Sequence, residues 1–491
     1  MIIVITRNSL KTNMVFNMIK GIMGVIMPLI TFPYISRTLG VENVGKVSFV
    51  NSVISYFGLL AALGIRMYTV SAGSKYRNDH EKMNRFANSV FTINVIFTVN
   101  AYVLLFLLVA TIPKFQEYMV LFAILSLQII LTTIGVDWIN VIYEDYFYIT
   151  VRTIMFNLLQ LILLFLFVRT EGDLIKYMVI SVFCSNGMNL INHFYVKKYC
   201  RPHLTVHVDW ELHMKPILLL FATQAMITIY VSSDTTILGF LCGDVPVGIY
   251  HVSVKIYTIV KTVAASMVAV SIPRLSNLYS RGKREEFSAT AQDTYYTMLT
   301  ICIPAMLGLL LLRREIIELI SGPEYVKAVY SLAILSIAMF FCIGAYFWGQ
   351  AILVSVGQER ILLKVTVLSA AVNIVFNFML IPYWKENAAA FTTLIAEMLT
   401  FAICRYYGKQ YVQFTGCIRI WAKIFCGCMG IIVIKALLTA VGLTGIWYVI
   451  FMILCSAAVY FLIEIIVNNE VLKSMVPKSY FKNYSKDNWT K

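Results

Sequence analysis

Charge is scarce in this 491-residue chain: Asp, Glu, Lys and Arg make up 13% of it, against roughly 25% in soluble globular proteins. With 59% hydrophobic residues and a mean hydropathy of +0.78, a soluble fold is excluded. Long polar segments are also missing, so no loop is large enough to fold into a domain. The ten cysteines are scattered, mostly inside apolar runs, without a disulfide framework or a CxxC zinc pair. Cys426 and Cys428 are two residues apart and so point to different faces of a helix, which argues against a metal site. The sequence has no Gly-rich phosphate loop, no Gly-x-Ser-x-Gly, no HExxH and no paired carboxylates at matching spacing. These absences leave no enzyme constellation and give no reason to expect a cofactor or a metal. A membrane glycosyltransferase or polymerase would also need a larger outer loop to hold its reaction.

What fills the chain instead is a series of apolar runs, each about the 20 residues needed to cross a bilayer. Fourteen spans are expected, near 13–34, 44–65, 86–111, 118–142, 153–168, 176–196, 216–238, 249–273, 294–312, 328–352, 365–382, 388–404, 421–441 and 447–467. The first apolar stretch is followed by no small-residue cleavage site and reads as a retained span. With the N-terminus inside, and residues at the first three positions of a span counted with the adjoining segment, 27 of the 40 Lys and Arg fall on inside segments, 9 on outside segments and 4 deeper within spans: Lys20, Lys255, Lys261 and Lys435. Threefold asymmetry fits the positive-inside rule and places both termini in the cytoplasm. The net charge of +15 therefore needs no nucleic-acid partner.

The segment 197–215 would join two halves of six spans each. Its alternation of His207, Asp209 and Glu211 with Val206, Val208, Trp210 and Leu212 fits a linker lying at the membrane surface. That fit is better than a metal site built from His207, Asp209 and His213. The halves show an internal echo, as transporters built from repeats do. Leu39-Gly40-Val41-Glu42-Asn43-Val44-Gly45 joins the first two spans, and Gly243-Asp244-Val245-Pro246-Val247-Gly248 joins the seventh and eighth.

Polar residues recur at steps of three and four within four spans, which puts each set on one helix face. They are Asn17, Lys20, Gly24, Pro28 and Thr31; Ser48, Asn51, Ser55, Gly58 and Ala62; Gln224, Thr228, Ser232 and Thr235; and His251, Lys255, Thr258, Thr262 and Ser266. Small and hydroxylated residues also serve helix packing, and that reading suffices for the second span. A lysine on the stripe must reach water, a partner or a ligand, so the first and eighth spans point to a polar cavity. Its candidate lining is Asn17, Lys20, Asn51, Gln224, Thr228, Asp234, His251, Lys255, Thr258 and Lys261. Lys20 and Lys255 suit an anionic ligand such as phosphate. Asp234 and Lys255 flank one turn at similar depths, so a structural ion pair is an equally direct reading. Asn373 and Asn377 in the eleventh span fit packing or a cavity equally well. Pro28, Pro33, Pro273 and Pro304 could kink their helices, as in alternating-access carriers.

Five stretches in register carry a resemblance to a known family. PLITFPYISRTLGVENVGKVSFVNSVISYFGLLAALGI (28–65) resembles the opening two spans of the Wzx-type oligosaccharide flippases. DWINVIYEDYFYITVR (137–152) resembles that family's fourth-to-fifth span junction, and DTTILGFLCGDVPVGIYHVSVKIY (234–257) its central hairpin. IIELISGPEYVKAVYSLAILS (316–336) and AAVNIVFNFMLIPYWKENAAAFTTLIAEML (370–399) resemble its ninth-to-tenth and eleventh-to-twelfth regions. Glu386-Asn387-Ala388 stands where members usually carry glycine before the twelfth span.

The resemblance implies an all-α membrane protein with two six-helix lobes in a V, residues 1–205 and 206–415. Two further helices and a cytoplasmic tail would follow in 416–491. It implies carriage of a polyprenyl-diphosphate-linked oligosaccharide from the cytoplasmic to the outer leaflet of a bacterial plasma membrane, by alternating access. The lysines of the first and eighth spans would meet the diphosphate, and glycan-assembly enzymes and membrane lipid would be partners. A multidrug or cation antiporter of the same superfamily is the alternative, but it would favour an acidic cavity over these basic stripes.

Overall fold

The computed structural model describes residues 10–467, which are helical with no strand among them. Twelve helices dominate: α1 (Leu10–Ala62), α2 (His80–Thr111), α3 (Met119–Gly135), α4 (Tyr146–Phe167), α5 (Leu174–Asn186) and α6 (Trp210–Cys242). They continue with α7 (Asp244–Ser280), α8 (Arg284–Leu311), α9 (Ala328–Tyr346), α10 (Glu359–Gly408), α11 (Cys417–Ala440) and α12 (Gly445–Ile466). Eleven helical stretches are long and apolar enough to cross a membrane, and α3 is a shorter apolar helix. Two of the eleven are bent. α1 turns at Gly40 (φ 74°, ψ 170°) and α10 at Lys385 (φ 49°, ψ −125°), between the spans expected there as separate pairs.

The chain groups into two compact units, residues 1–251 with 377–385, and residues 252–376 with 386–491. In the first unit the two echoing turns pack on each other. A Cβ at Gly45 would overlap the backbone of Asp244, and one at Gly248 would overlap the backbone of Val41. Gly40 and Gly243 both take positive φ, which glycine adopts without penalty, at matching positions of the two turns. α1 and α6 are joined by hydroxyls: Ser55 Oγ to Ser232 Oγ at 3.0 Å, Thr236 Oγ1 donating to Ser52 Oγ at 2.8 Å, and Tyr56 Oη to Thr236 Oγ1 at 3.2 Å. Ser55 of the second-span stripe thus serves helix packing, together with its neighbours Ser52 and Tyr56, as membrane helices use hydroxyl groups.

Asp79 caps α2 by accepting the Lys82 N–H. The expected surface linker is fastened along that helix. Backbone N–H groups of Arg201, His203 and Thr205 donate to Asn84 Oδ1, Asn88 Oδ1 and Thr92 Oγ1, each at 3.0 Å. Two extended residues advance about 6.6 Å and four helical residues about 6.0 Å, so alternate linker residues meet every fourth helix residue. His213 ends up buried at the start of α6, its Nδ1 2.7 Å from Tyr68 Oη, which is a packing role.

The second unit repeats the device. Gln413 N–H donates to Ser288 Oγ at 2.9 Å and Thr415 N–H to Gln292 Oε1 at 2.7 Å, while Tyr296 Oη donates to the Thr415 carbonyl. Again the helix partners are four apart and the linker residues two apart. α11 and α12 pack closely through Gly427, which lies against the Tyr460 ring, and Tyr460 Oη donates to Thr300 O of α8 at 2.7 Å.

Candidate functional site

The candidate residues divide between the units: Asn17, Lys20, Asn51, Gln224, Thr228, Asp234 and His251 lie in the first, Lys255, Thr258 and Lys261 in the second. In the first unit Lys20, on α1, is half-buried and shares its electrostatic surroundings with Asp137, Arg66 and Arg152. Arg152 is 5% exposed and donates from Nη2 to Asp137 Oδ1 at 2.6 Å. Asp137 and Arg152 are the two ends of the junction motif 137–152, so the loop and first turns of α4 bring the motif's termini together. The Nε and Nη1 of Arg152 have no hydrogen-bond partner among the described residues. Buried guanidinium N–H groups left unmatched are costly, and they are well suited to donate to an oxyanion. Lys20 thus has one carboxylate and two guanidinium groups within electrostatic reach, and that carboxylate is paired with Arg152.

Asp234, 6% exposed on α6, accepts from Tyr250 Oη at 2.8 Å through Oδ2 and from Asn377 Nδ2 at 2.6 Å through Oδ1. Each carboxylate oxygen is therefore engaged by a neutral donor, as burial of a charge requires. Asn51 Oδ1 accepts from Gln128 Nε2 at 3.2 Å on an exposed face. Asn17 is exposed, Gln224 and Thr228 are half-buried, and the His251 ring meets Phe32 edge-on with centroids 5.7 Å apart. In the second unit Lys255 is half-buried and Thr258 exposed on α7. Lys261 Nζ lies 3.8 Å from Glu397 Oε1, a carboxylate only 7% exposed.

Sequence reasoning passed over Arg152, Asp137, Tyr250 and Glu397. Arg152 could have been found, because a charge six residues into an apolar helix carries the same signal as Lys20. Asn377 was visible as a polar residue four from Asn373, but its partner is 143 positions away. Asn373 instead donates to Thr392 Oγ1 at 3.4 Å within the second unit.

The profile of the family described as polysaccharide biosynthesis protein matches residues 10–279. A second, described as MatE, matches residues 218–379. The chain is 23% identical over 403 residues to a putative O-antigen transporter of Escherichia coli (strain K12), covering 80% of this chain and 94% of that one. It is 22% identical over 407 residues to the capsular polysaccharide biosynthesis protein CapF of Staphylococcus aureus, covering 81% and 99%. Its fold matches the lipid II flippase MurJ in an inward closed conformation with a TM-score of 0.77 at 16% identity, over 94% of this chain and 100% of that one. An inward-facing multidrug resistance MATE family transporter matches with a TM-score of 0.55 over 81% and 98%. The chain belongs to the polysaccharide biosynthesis protein family, in keeping with the Wzx-type resemblance of its five motifs.

Proposed function

We propose that the protein is a flippase that moves a polyprenyl-diphosphate-linked oligosaccharide from the cytoplasmic to the outer leaflet, by alternating access, for surface polysaccharide synthesis. The observation that carries the reading is the cationic group in the first unit. Lys20 lies within electrostatic reach of Arg66, Arg152 and Asp137, Arg152 pairs with Asp137, and two buried N–H-bearing nitrogens of Arg152 stay unmatched. A diphosphate is a short, doubly charged anion that planar guanidinium groups and a lysine point charge recognise together. The family, the O-antigen and capsular relatives and the flippase-like fold all agree with such a substrate.

Each half of bent α1 and α10 serves as one crossing in this reading, and α3 as another, which gives fourteen. Both termini face the cytoplasm of a bacterial plasma membrane. The two lobes follow the repeated turns and linkers, and glycan-assembly enzymes act on either side of the transport step. Asn17, Lys20, Asn51, Gln224, Thr228, Asp234, His251, Lys255, Thr258 and Lys261 line the path of the substrate. The MatE match over 218–379 keeps a multidrug antiporter as the competing reading. Deleting the gene separates them: lipid-linked oligosaccharide should build up on the cytoplasmic face while sensitivity to cationic dyes stays unchanged. Dye sensitivity without glycan build-up would favour the antiporter.

A further inference from the structure

The second unit contains a cavity of about 180 Å³ between the middle of α7, the end of α9 and the second half of α10. It has room for about six waters at about 30 Å³ each, or for one sugar ring. Its polar lining comprises Lys261, Tyr346, Gln350, Glu397 and Thr400. Ionisable residues at this depth in a membrane protein mark function by default.

The backbone has been shaped to aim this set. After Tyr346 the chain runs as a π-helix through Phe347–Val354, a rare form that is frequent at functional sites. Around it Phe347, Trp348 and Gly349 are buried, whereas Tyr346 and Gln350, four apart, remain partly open on the cavity side. Gly344 and Gly349 let the segment press against Phe401 and Leu362 of α10, where a Cβ would come within 2.7 and 2.8 Å. Thr400 is fixed by donating to Ser369 Oγ at 2.8 Å.

Hydrogen-bonding capacity is left over. Glu397 and Lys261 are 3.8 Å apart, an ion pair too long to be a hydrogen bond. The Tyr346 hydroxyl and the Gln350 amide make no side-chain hydrogen bond to protein among the described residues. Half-buried polar groups that face a cavity take their partners from water or from a ligand.

Charge decides the class of ligand. One ammonium and one carboxylate cancel, so the cavity offers a diphosphate no net attraction, and the lysine disfavours a cation. What remains is a neutral group rich in hydroxyls, able to donate to Glu397, accept from Lys261 and do both with Gln350 and Tyr346. Ala265, Ile343, Ala345 and Leu362, with the ring of Tyr346, supply an apolar wall for the C–H face of a pyranose. We infer that this cavity receives one sugar ring of the lipid-linked glycan, separately from the cations that hold its diphosphate. The inference rests on the flippase reading above.

The test is binding to the full chain in nanodiscs, with two probes: lipid-linked oligosaccharide extracted from the source cells, and polyprenyl diphosphate bearing no sugar. Tyr346→Phe and Gln350→Leu keep the Lys261–Glu397 pair and the helix intact. Each should weaken binding of the glycosylated probe several-fold, and the double variant about tenfold or more, with no change for the bare diphosphate. Lys20→Gln and Arg152→Gln should weaken both probes. If the double variant binds the glycosylated probe as wild type does, the cavity holds only water and the sugar inference falls, while the flippase reading stands. If it weakens both probes equally, the cavity is structural and the inference also falls. Wild-type protein that binds neither probe would overturn both readings.

Discussion

Gly45 lies directly against the main chain of Asp244, and four residues beyond Asp244, one turn on, Gly248 lies against Val41 in the same way. Each glycine belongs to one of two similar turns, so the contact is reciprocal. A methyl group at either position meets backbone, which cannot rotate aside. Gly45→Ala and Gly248→Ala should each destabilise the protein by about 1–3 kcal/mol, the usual cost of overpacking a tight contact. Thermal unfolding in detergent reads this. Gly243→Ala has open space around it and should lose stability only through its backbone angles (φ 85°, ψ −169°), by about 1–3 kcal/mol.

Lys385 occupies the bend of α10 with φ 49° and ψ −125°. That region is strained for any residue with a Cβ, by about 1–3 kcal/mol, and open to glycine. The family resemblance expects glycine close to this bend. Lys385→Gly should therefore raise thermal stability, by about 1 kcal/mol, where the same change in a regular helix lowers it by about that amount. A fall in melting temperature would show that the bend is held by the lysine side chain.

Asp145 sits between α3 and α4, outside both helices. Burial pushes its carboxyl up, but hydrogen bonds from Tyr195, Lys198 and Tyr199 outweigh that and hold it below the ordinary carboxylate range. A depressed folded value contributes stability that is present above the unfolded value of about 3.9 and is lost as pH falls through the folded one. Asp145→Asn should lower stability at pH 7 by about 1–3 kcal/mol and flatten the loss below about pH 4. Unfolding curves across pH 3–7 give both quantities. An unchanged acid limb in the variant would assign that loss to other carboxylates.

The all-helical class and the breaks where α1 and α10 bend were legible in the sequence, because apolar runs and turn residues are local signals. Among the described residues eleven long apolar stretches and one shorter apolar helix stand where fourteen separate spans were expected. The repeat was legible only as two similar turns. Its stronger mark lies in the linkers, where Asn84, Asn88 and Thr92 hold alternate residues of one segment and Ser288 and Gln292 those of another. These side chains differ in type and share only spacing, so comparison of letters does not find them. Lys20 stood out by charge, whereas its neighbours Arg66 and Arg152 come from other helices, and only folding brings them together.

Asp234 accepts hydrogen bonds from Tyr250 and Asn377. Lys255→Gln should reduce glycan export about tenfold or more, the loss of a charge-assisted contact, and adding Asp234→Asn should not restore it. Surface polysaccharide, measured at equal protein level, reports this. Recovery in the double variant would instead mark a structural pair, whose partners are harmful to remove singly and tolerable to remove together.

Translocation is measured most directly in proteoliposomes, with fluorescent polyprenyl-diphosphate oligosaccharide placed in one leaflet and its arrival in the other read by a membrane-impermeant quencher. Wild-type protein should move the lipid well above protein-free vesicles. Lys20→Gln and Arg152→Gln, confirmed as folded, should slow it about tenfold or more. Translocation at the protein-free rate with folded wild-type protein, or at the wild-type rate in both variants, would contradict a flippase that grips its substrate by the diphosphate.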